Sequence, residues 1–465
     1  MSAIRIGFFM ASNDMDIKSP KPLSFGYLKA YLESQAPGDF EMEYFDGPFD
    51  ARSLDILALS TTTQAYPIAV EAARSAKEAN SGIITIIGGH HVTYLPEMMA
   101  DCFDIGIIGE GEHTFADLVT KAVDNRLSLD HDVLAGIQGI VFRHEGSSVV
   151  TDPRPLIEPL DSLPHPFRFR EKAQYIFSSR GCPYKCVFCS SSAFWKKTRM
   201  FSAGYVVEEI EQILHNIPET ERIPFQDDLF VLNRKRLLEF AALMEEKKLA
   251  RRVPYVFSVR ANLVDQELCD ILKRFNLGYV AFGAESASDR MLDLLGKGTT
   301  REMNQNAINL LTKNGINTVC SFIVGIPGET EEEVNSTYNF AYGNMAAGRV
   351  SINSIVNILM PMPGTRLWQT AIDRGIIKLD GFDWKKLSVF ASYRASSLPL
   401  DFDEWLAIRE ESGAVYLNEA EVPFSRMAQL MRKHEARISR LERMLRIRVA
   451  LYAFKFVNYV RRLFL

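Results

Sequence analysis

The chain has no apolar run able to cross a bilayer: among its 465 residues, stretches such as 449–454 are broken by charge well short of the ~18 residues a spanning helix needs. It is also poor in cysteine. Six in the whole chain exclude a disulfide scaffold and fit a reducing compartment. The opening Met-Ser-Ala-Ile-Arg-Ile-Gly enters a strand-like pattern without the apolar stretch and cleavage site of a signal peptide, so a cytoplasmic protein is expected. With 47% hydrophobic and 24% charged residues, 28 Gly and 20 Pro, the composition excludes disordered and collagen-like chains, and no repeat is evident at a period of 20–50 residues.

What is present is unevenly spread. Cys182, Cys186 and Cys189 crowd into eight residues, whereas Cys102, Cys269 and Cys320 lie scattered among apolar neighbours and are expected to fill cores. The formal net charge of −5 conceals a basic tail: residues 426–465 hold nine Arg and two Lys against Glu435 and Glu442, a net +9, leaving −14 on the other 425 residues.

Up to Asn125 short apolar runs (Ile4–Met10, Phe40–Phe45, Ile56–Ser60, Ile83–Ile87 and Ile105–Ile108) alternate with helical patterns at Leu23–Ser34, Ala65–Ala79 and Thr114–Val123. This predicts an α/β domain, a doubly wound (Rossmann-like) sheet with helices on both faces, over residues 1–150. Ligands bind such sheets at the carboxyl ends of the strands, where Ser60-Thr61-Thr62-Thr63 and Gly88-Gly89-His90-His91 supply small and hydroxyl groups. Gly136–Asp152 reads as a hairpin. Residues 151–172, rich in proline, read as a linker. A second alternation follows over 173–370, with strands expected at Tyr175–Ser179, Arg222–Gln226, Pro254–Val259, Tyr279–Phe282, Thr318–Val324 and Ile355–Leu359. Six strand–helix units make an open, partial (β/α)6 barrel, again with its chemistry at the carboxyl ends. Residues 371–465 form a helical C-terminal region.

The sharpest chemical signal is Cys182-Pro-Tyr-Lys-Cys186-Val-Phe-Cys189, directly after the first barrel strand. Thiolates take soft metals and iron–sulfur clusters, and three of them at this spacing can hold one cubane while leaving its fourth iron open. The alternatives are a zinc knuckle, although no fourth ligand follows at regular spacing, and coincidence.

With Phe188 before its last cysteine, this segment resembles the signature of the radical S-adenosylmethionine (SAM) superfamily. The resemblance runs from about Ala173 to Trp368, through Gln226-Asp227-Asp228, Ser258-Val259-Arg260, Phe282-Gly283-Ala284-Glu285-Ser286, Gly325-Ile326-Pro327-Gly328-Glu329-Thr330 and Met360-Pro361-Met362-Pro363-Gly364-Thr365, each at a successive strand end. It implies a 4Fe-4S cluster on Cys182, Cys186 and Cys189, with SAM bound at the open iron. Phe188 then offers an apolar face to adenine, while Gly283, Gly325 and Pro327 belong to strand ends that approach the cofactor. Arg260 is placed to pair with the SAM carboxylate, or else to form a structural salt bridge; Glu285 would accept from its ammonium or ribose. Asp227 either binds cofactor or caps a helix.

The first domain resembles the cobalamin (B12)-binding domain that precedes this barrel in one large subgroup, on Pro22-Leu23-Ser24-Phe25-Gly26-Tyr27-Leu28, Ser60, Thr61 and Thr62, Gly88, Gly89 and His90, and Ile108-Gly109-Glu110-Gly111-Glu112. No Asp-x-His-x-x-Gly motif supplies a lower axial histidine. The subgroup generally lacks it and holds cobalamin with its tail base displaced. The implied activity is a class B-like methyltransferase: a 5′-deoxyadenosyl radical activates an unreactive carbon, which takes a methyl group from methylcobalamin. A cyclase, rearrangement or carbon–carbon coupling enzyme on the same scaffold, and a non-catalytic cobalamin or metal sensor, stay open. Partners implied are a small-molecule or lipid-like substrate and an external electron donor such as flavodoxin or ferredoxin; no nucleic-acid module is found. Specificity is expected from both domains and from Ile376–Glu421. Ile438, Leu441, Leu445, Val449, Tyr452, Phe456, Tyr459 and Leu463 recur at helical spacing among arginines. They predict a basic amphipathic helix, for which a peripheral membrane contact, docking on the acidic body and a dimer contact all stand open.

Overall fold

The computed structural model describes residues 3–12, 21–36, 38, 40–351, 353–387, 403, 407, 409, 413 and 415–464, with side chains (other than that of residue 355) up to 445. The amino-terminal sheet runs in the order β2 (Phe40–Phe45), β1 (Ile4–Ala11), β3 (Ile56–Thr61), β4 (Ile84–Gly89), β5 (Ile105–Ile107), β6 (Ile140–His144), β7 (Ser147–Val150). The five strands β1 to β5 are parallel; the hairpin β6–β7 adds antiparallel at the edge. Alternation of side chains sorts the apolar residues onto two faces. Ile56, Ala58 and Ile86 pack with Phe115, Leu118 and Val119 of the helix Glu112–Asp124. Leu57, Leu59 and Ile87 pack with Ala69, Ala73 and Ala76 of the helix Tyr66–Ala79. Those alanines, on one helical face, let the helix lie close to the sheet.

The expected linker is not loose. Ile157, Leu160 and Leu163 are buried in the barrel core, and Phe167 donates its backbone N–H to Gly26 in the first domain.

The second sheet is all parallel, in the order β10 (Ile223–Pro224), β11 (Tyr255–Ser258), β12 (Leu277–Glu285), β13 (Thr318–Val324), β14 (Ile355–Ile358). The sixth position, expected at Tyr175–Ser179, is filled differently: only isolated parallel bridges, Ala173 to Arg222 and Ile176 to Phe225, connect it to the sheet. The reason is Asp227. Its carboxylate accepts the backbone N–H groups of Ser178 and Ser179 at 2.8 and 2.7 Å and both their hydroxyls, removing those donors from any ladder. The chain instead turns into β8 (Ser179–Arg180), which pairs antiparallel with β9 (Arg199–Met200) and closes the neck of the loop holding the three clustered cysteines.

The predicted C-terminal helix is present as Phe424–Phe464. Its first half docks on the helix Glu331–Ala346: Arg426 pairs with Glu331, His434 stacks on Tyr338 with ring centroids 4.5 Å apart, and Arg437 donates to Asn339 at 2.9 Å. Ile438 and Leu441, two residues of the predicted amphipathic face, are buried in the barrel core and Leu445 packs beside them. The side chains of Val449, Tyr452, Phe456, Tyr459 and Leu463 lie outside the described residues, as does half of the segment Ile376–Glu421. Among the described residues no helix is long and apolar enough to cross a membrane.

Candidate active site

Two cavities open at the carboxyl ends of the two sheets, and the short helix Ser190–Trp195 contributes Phe194 and Trp195 to one of them. The first, of about 390 Å³, collects all three clustered cysteines with Tyr184, Phe188, Asp228, Arg260, Gly283, Glu285 and Lys297. Among the described residues no three His, Cys, Asp or Glu side chains converge tightly enough for a single metal ion. Burial pushes the thiols of Cys182 and Cys189 up, and iron binding would therefore release protons. Cys102, Cys269 and Cys320 are buried elsewhere, as expected.

Arg260 follows the end of β11 and lies flat over the Tyr184 ring, its guanidinium carbon 3.6 Å from the centroid. It is buried, and among the described residues its Nε and Nη2 atoms have no hydrogen-bond partner. An orphaned guanidinium inside a cavity is costly unless an anion completes it. Glu285 ends β12 at a register shift, with φ of 58°, a left-handed value rare for residues other than glycine. That turn brings its carboxylate over Gly283, where a Cβ would sit 1.8 Å from Oε1, and into a 2.7 Å ion pair with Lys297. Lys297 carried no motif and was not anticipated; it lies twelve residues beyond Glu285, outside the strand ends on which sequence reasoning concentrated.

Three predicted site residues do not line this cavity. Asp227 is buried under the cysteine loop, all its acceptor capacity spent on Ser178 and Ser179; the neighbouring Asp228 lines the cavity and accepts from Ser191. Gly325 and Pro327 are not among the lining residues. Gly325, at φ 78°, presses against Tyr416, whose ring a Cβ would meet at 2.7 Å, and its N–H donates to Glu329. This strand end is plugged by the C-terminal region, with Asn418 bonded to Gly328 and Glu329.

Burial raises the Glu329 carboxyl from 4.5 to about 8. Because the folded value stands above the ordinary one, the protonated form contributes stability that is fully present below about pH 4.5 and lost as pH rises toward 8. Thermal unfolding of wild type and Glu329→Gln across that range should show the balance shifting toward the variant with rising pH.

The second cavity, of about 380 Å³, is mainly apolar. It gathers Ser60, Thr61, Thr62, Gly88, Gly89, His90, Glu110 and Gly111 from the strand ends of the first sheet, with Phe194, Trp195 and Arg180 from the barrel side. Gly89, at φ 103°, lies so close to β3 that a Cβ would fall 2.3 Å from the Thr61 carbonyl oxygen. His90 contacts Phe194 with ring centroids 4.6 Å apart. His91 points away, buried against Tyr66 and Trp384. Glu110 lines the cavity, and its oxygens are engaged by Arg180, Arg199 and the Ile157 N–H, so it also ties the two domains together. Arg180 and Arg199, unforeseen, have in their flanking of the cysteine motif the one sequence signal that would have found them.

Residues 22–119 match the B12 binding domain family and residues 176–341 the Radical SAM superfamily. An uncharacterized methyltransferase of Pyrococcus horikoshii is 33% identical over 384 residues, 77% of this chain and 80% of that protein. An anaerobic magnesium-protoporphyrin IX monomethyl ester cyclase of Rubrivivax gelatinosus is 32% identical over 301 residues, 62% of this chain and 54% of its own length. In fold the chain is similar to TsrM from Kitasatospora setae, a radical SAM methyltransferase solved with cobalamin and a [4Fe-4S] cluster (TM-score 0.65, 18% identity, 80% of this chain and 78% of that one). It is equally similar to the cobalamin-dependent radical SAM enzyme OxsB (TM-score 0.65, 20% identity, 82% and 63%). The match in both domains, in this order, and to a relative over four-fifths of its length establish that this chain belongs to the radical SAM superfamily, in the branch that carries an amino-terminal B12-binding domain.

Proposed function

We propose that the chain is a cobalamin-dependent methyltransferase that alkylates a carbon lacking nucleophilic character, with the substrate between the two cavities. The observation that carries this reading is the direct chain continuity between the two cavities: Ser190–Trp195 follows Cys189, which lines the first, and presents Phe194 and Trp195 to the second. When bound, the cluster with SAM supplies a 5′-deoxyadenosyl radical, and cobalamin supplies the methyl group.

The chain's own residues do the rest. Cys182, Cys186 and Cys189 would hold iron; the two unpartnered donors of Arg260 would hold the SAM carboxylate; the carboxylates of Glu285, itself paired with Lys297, and Asp228 would accept from its ammonium and ribose; Phe188 and Gly283 would shape the face for adenine. Ser60, Thr61, Thr62, Gly88, Gly89, His90 and Gly111 form the floor that would hold cobalamin, in a cavity of about 380 Å³. Aromatic walls keep water from reactive species. As in the family generally, an external donor must supply the electron.

The test is mass spectrometry of SAM products from anaerobically reconstituted protein given lipid and tetrapyrrole extracts. Methyl transfer yields S-adenosylhomocysteine together with 5′-deoxyadenosine and a product heavier by one methylene. The cyclase relative favours a second reading, ring formation, which would yield 5′-deoxyadenosine with no S-adenosylhomocysteine.

The last twenty residues, 446–465, hold five cations and no acid, with Tyr452, Phe456 and Tyr459 at helical spacing. This supports a peripheral contact with an anionic membrane surface. A chain ending at residue 445 keeps the docked half of the helix. It should lose co-sedimentation with phosphatidylserine vesicles that the full chain shows; equal partitioning would refute the contact.

A further inference from the structure

The cysteine loop is held at its neck by the other domain. Arg180, on β8, donates through Nη1 to Glu110 and through Nη2 to Glu112; Arg199, opposite on β9, donates to Glu110 at 2.7 Å and to the Ile157 carbonyl at 2.8 Å. All four side chains are only 5–9% exposed. Burial works against the charged carboxyl of Glu110, but the Arg199 hydrogen bond and the Arg180 charge outweigh it and hold it below its ordinary value. Both guanidiniums also lie over the Trp195 ring, at 5.4 and 5.9 Å. On the far side of the loop Tyr94, also from the first domain, donates its hydroxyl to the Ser190 carbonyl, next to Cys189. It fits a notch at Gly364, where a Cβ would meet its ring at 2.2 Å.

Four buried charges are an expensive way to join two domains, since apolar residues of similar volume stabilise as well. What they add is geometry: the planar fork of Arg180 fixes two carboxylates at once, which a lysine cannot do. We infer that Glu110, Glu112, Arg180 and Arg199 are positioning residues, an interdomain clamp through which the B12-binding domain sets the placement of the cysteine loop. The state of the iron site therefore depends on carboxylates of the other domain that touch neither iron nor SAM. This rests on the reading that the three cysteines hold a cluster.

The experiment uses full-length protein reconstituted with iron and sulfide. Glu112→Gln breaks the clamp. Glu209→Gln, which breaks the buried Arg168–Glu209 pair away from the loop, controls for loss of a buried ion pair as such. Arg180→Lys keeps the charge and removes the fork, and is read in the same way should Glu112→Gln not fold. We expect the clamp variants to alter the electron paramagnetic resonance line shape of the reduced cluster and its response to SAM. They should also lose iron to a chelator on the order of tenfold faster, with Glu209→Gln matching wild type in both. Line shapes and iron loss in the clamp variants equal to those of wild type, or changed equally in Glu209→Gln, overturn the clamp. Failure of wild type itself to take up iron would instead refute the cluster reading.

Discussion

Cys186→Ala is expected to slow the reductive cleavage of SAM by at least about a thousandfold against the wild-type rate, a modest fraction of what an enzyme supplies. Cys186 lies in the middle of the motif and faces the cavity beside Cys182 and Cys189. Three thiolates are the fewest that hold a cluster with one open iron, so losing one either prevents assembly or leaves two irons without protein ligands. Cys102→Ala and Cys269→Ala serve as controls. Both residues are buried in apolar clusters away from the cavity, and their variants should lose some stability while keeping iron and activity. Iron content and 5′-deoxyadenosine formation, measured on the same anaerobic samples, check this. Retention of both by Cys186→Ala would remove the motif from the chemistry.

The second large effect is on cofactor affinity. Arg260→Met should weaken SAM binding to the reconstituted protein by about ten- to a hundredfold, the usual worth of hydrogen bonds to a charged group. The stacking on Tyr184 pre-orients the guanidinium, and its two unpartnered donors are the buried polar atoms of the cavity that most need an anion. Arg260→Lys should recover only part of the loss, because an ammonium neither stacks flat nor presents a fork. Equilibrium dialysis with labelled SAM under anaerobic conditions reads both variants; affinities within twofold of wild type would make Arg260 a structural cation.

Much of this was legible in the sequence because strands and their ends carry local signals. The limits of β2, an edge strand of alternating pattern, match the expected Phe40–Phe45, and those of the interior strands β3 and β5 lie within one residue of the expected ones. Parallel strands buried on both faces are continuous apolar runs bounded by small residues. Which way a strand-end side chain turns is not local. Asp227 and Asp228 are adjacent and chemically alike, yet one is consumed by Ser178 and Ser179 and the other faces the cavity. Gly325 fits the motif, but Tyr416, ninety-one residues on, decides what lies over it. The amphipathic stripe of the tail is continuous in sequence, whereas the fold spends Ile438 and Leu441 on the barrel. Beyond their position flanking the cysteine motif, Arg180 and Arg199 carry no local signal, because their partners, Glu110 and Glu112, come from another domain and belong to a cofactor motif.

The most direct test of the central claim, that one chain joins a SAM-cleaving iron site to a cobalamin site, is simultaneous quantification of iron, corrinoid and 5′-deoxyadenosine after anaerobic reconstitution and reduction with SAM present. The account predicts about four irons and about one corrinoid per chain, with 5′-deoxyadenosine formed only in the reduced sample. Protein that binds corrinoid but no iron, or that holds iron and releases no 5′-deoxyadenosine on reduction, would contradict it.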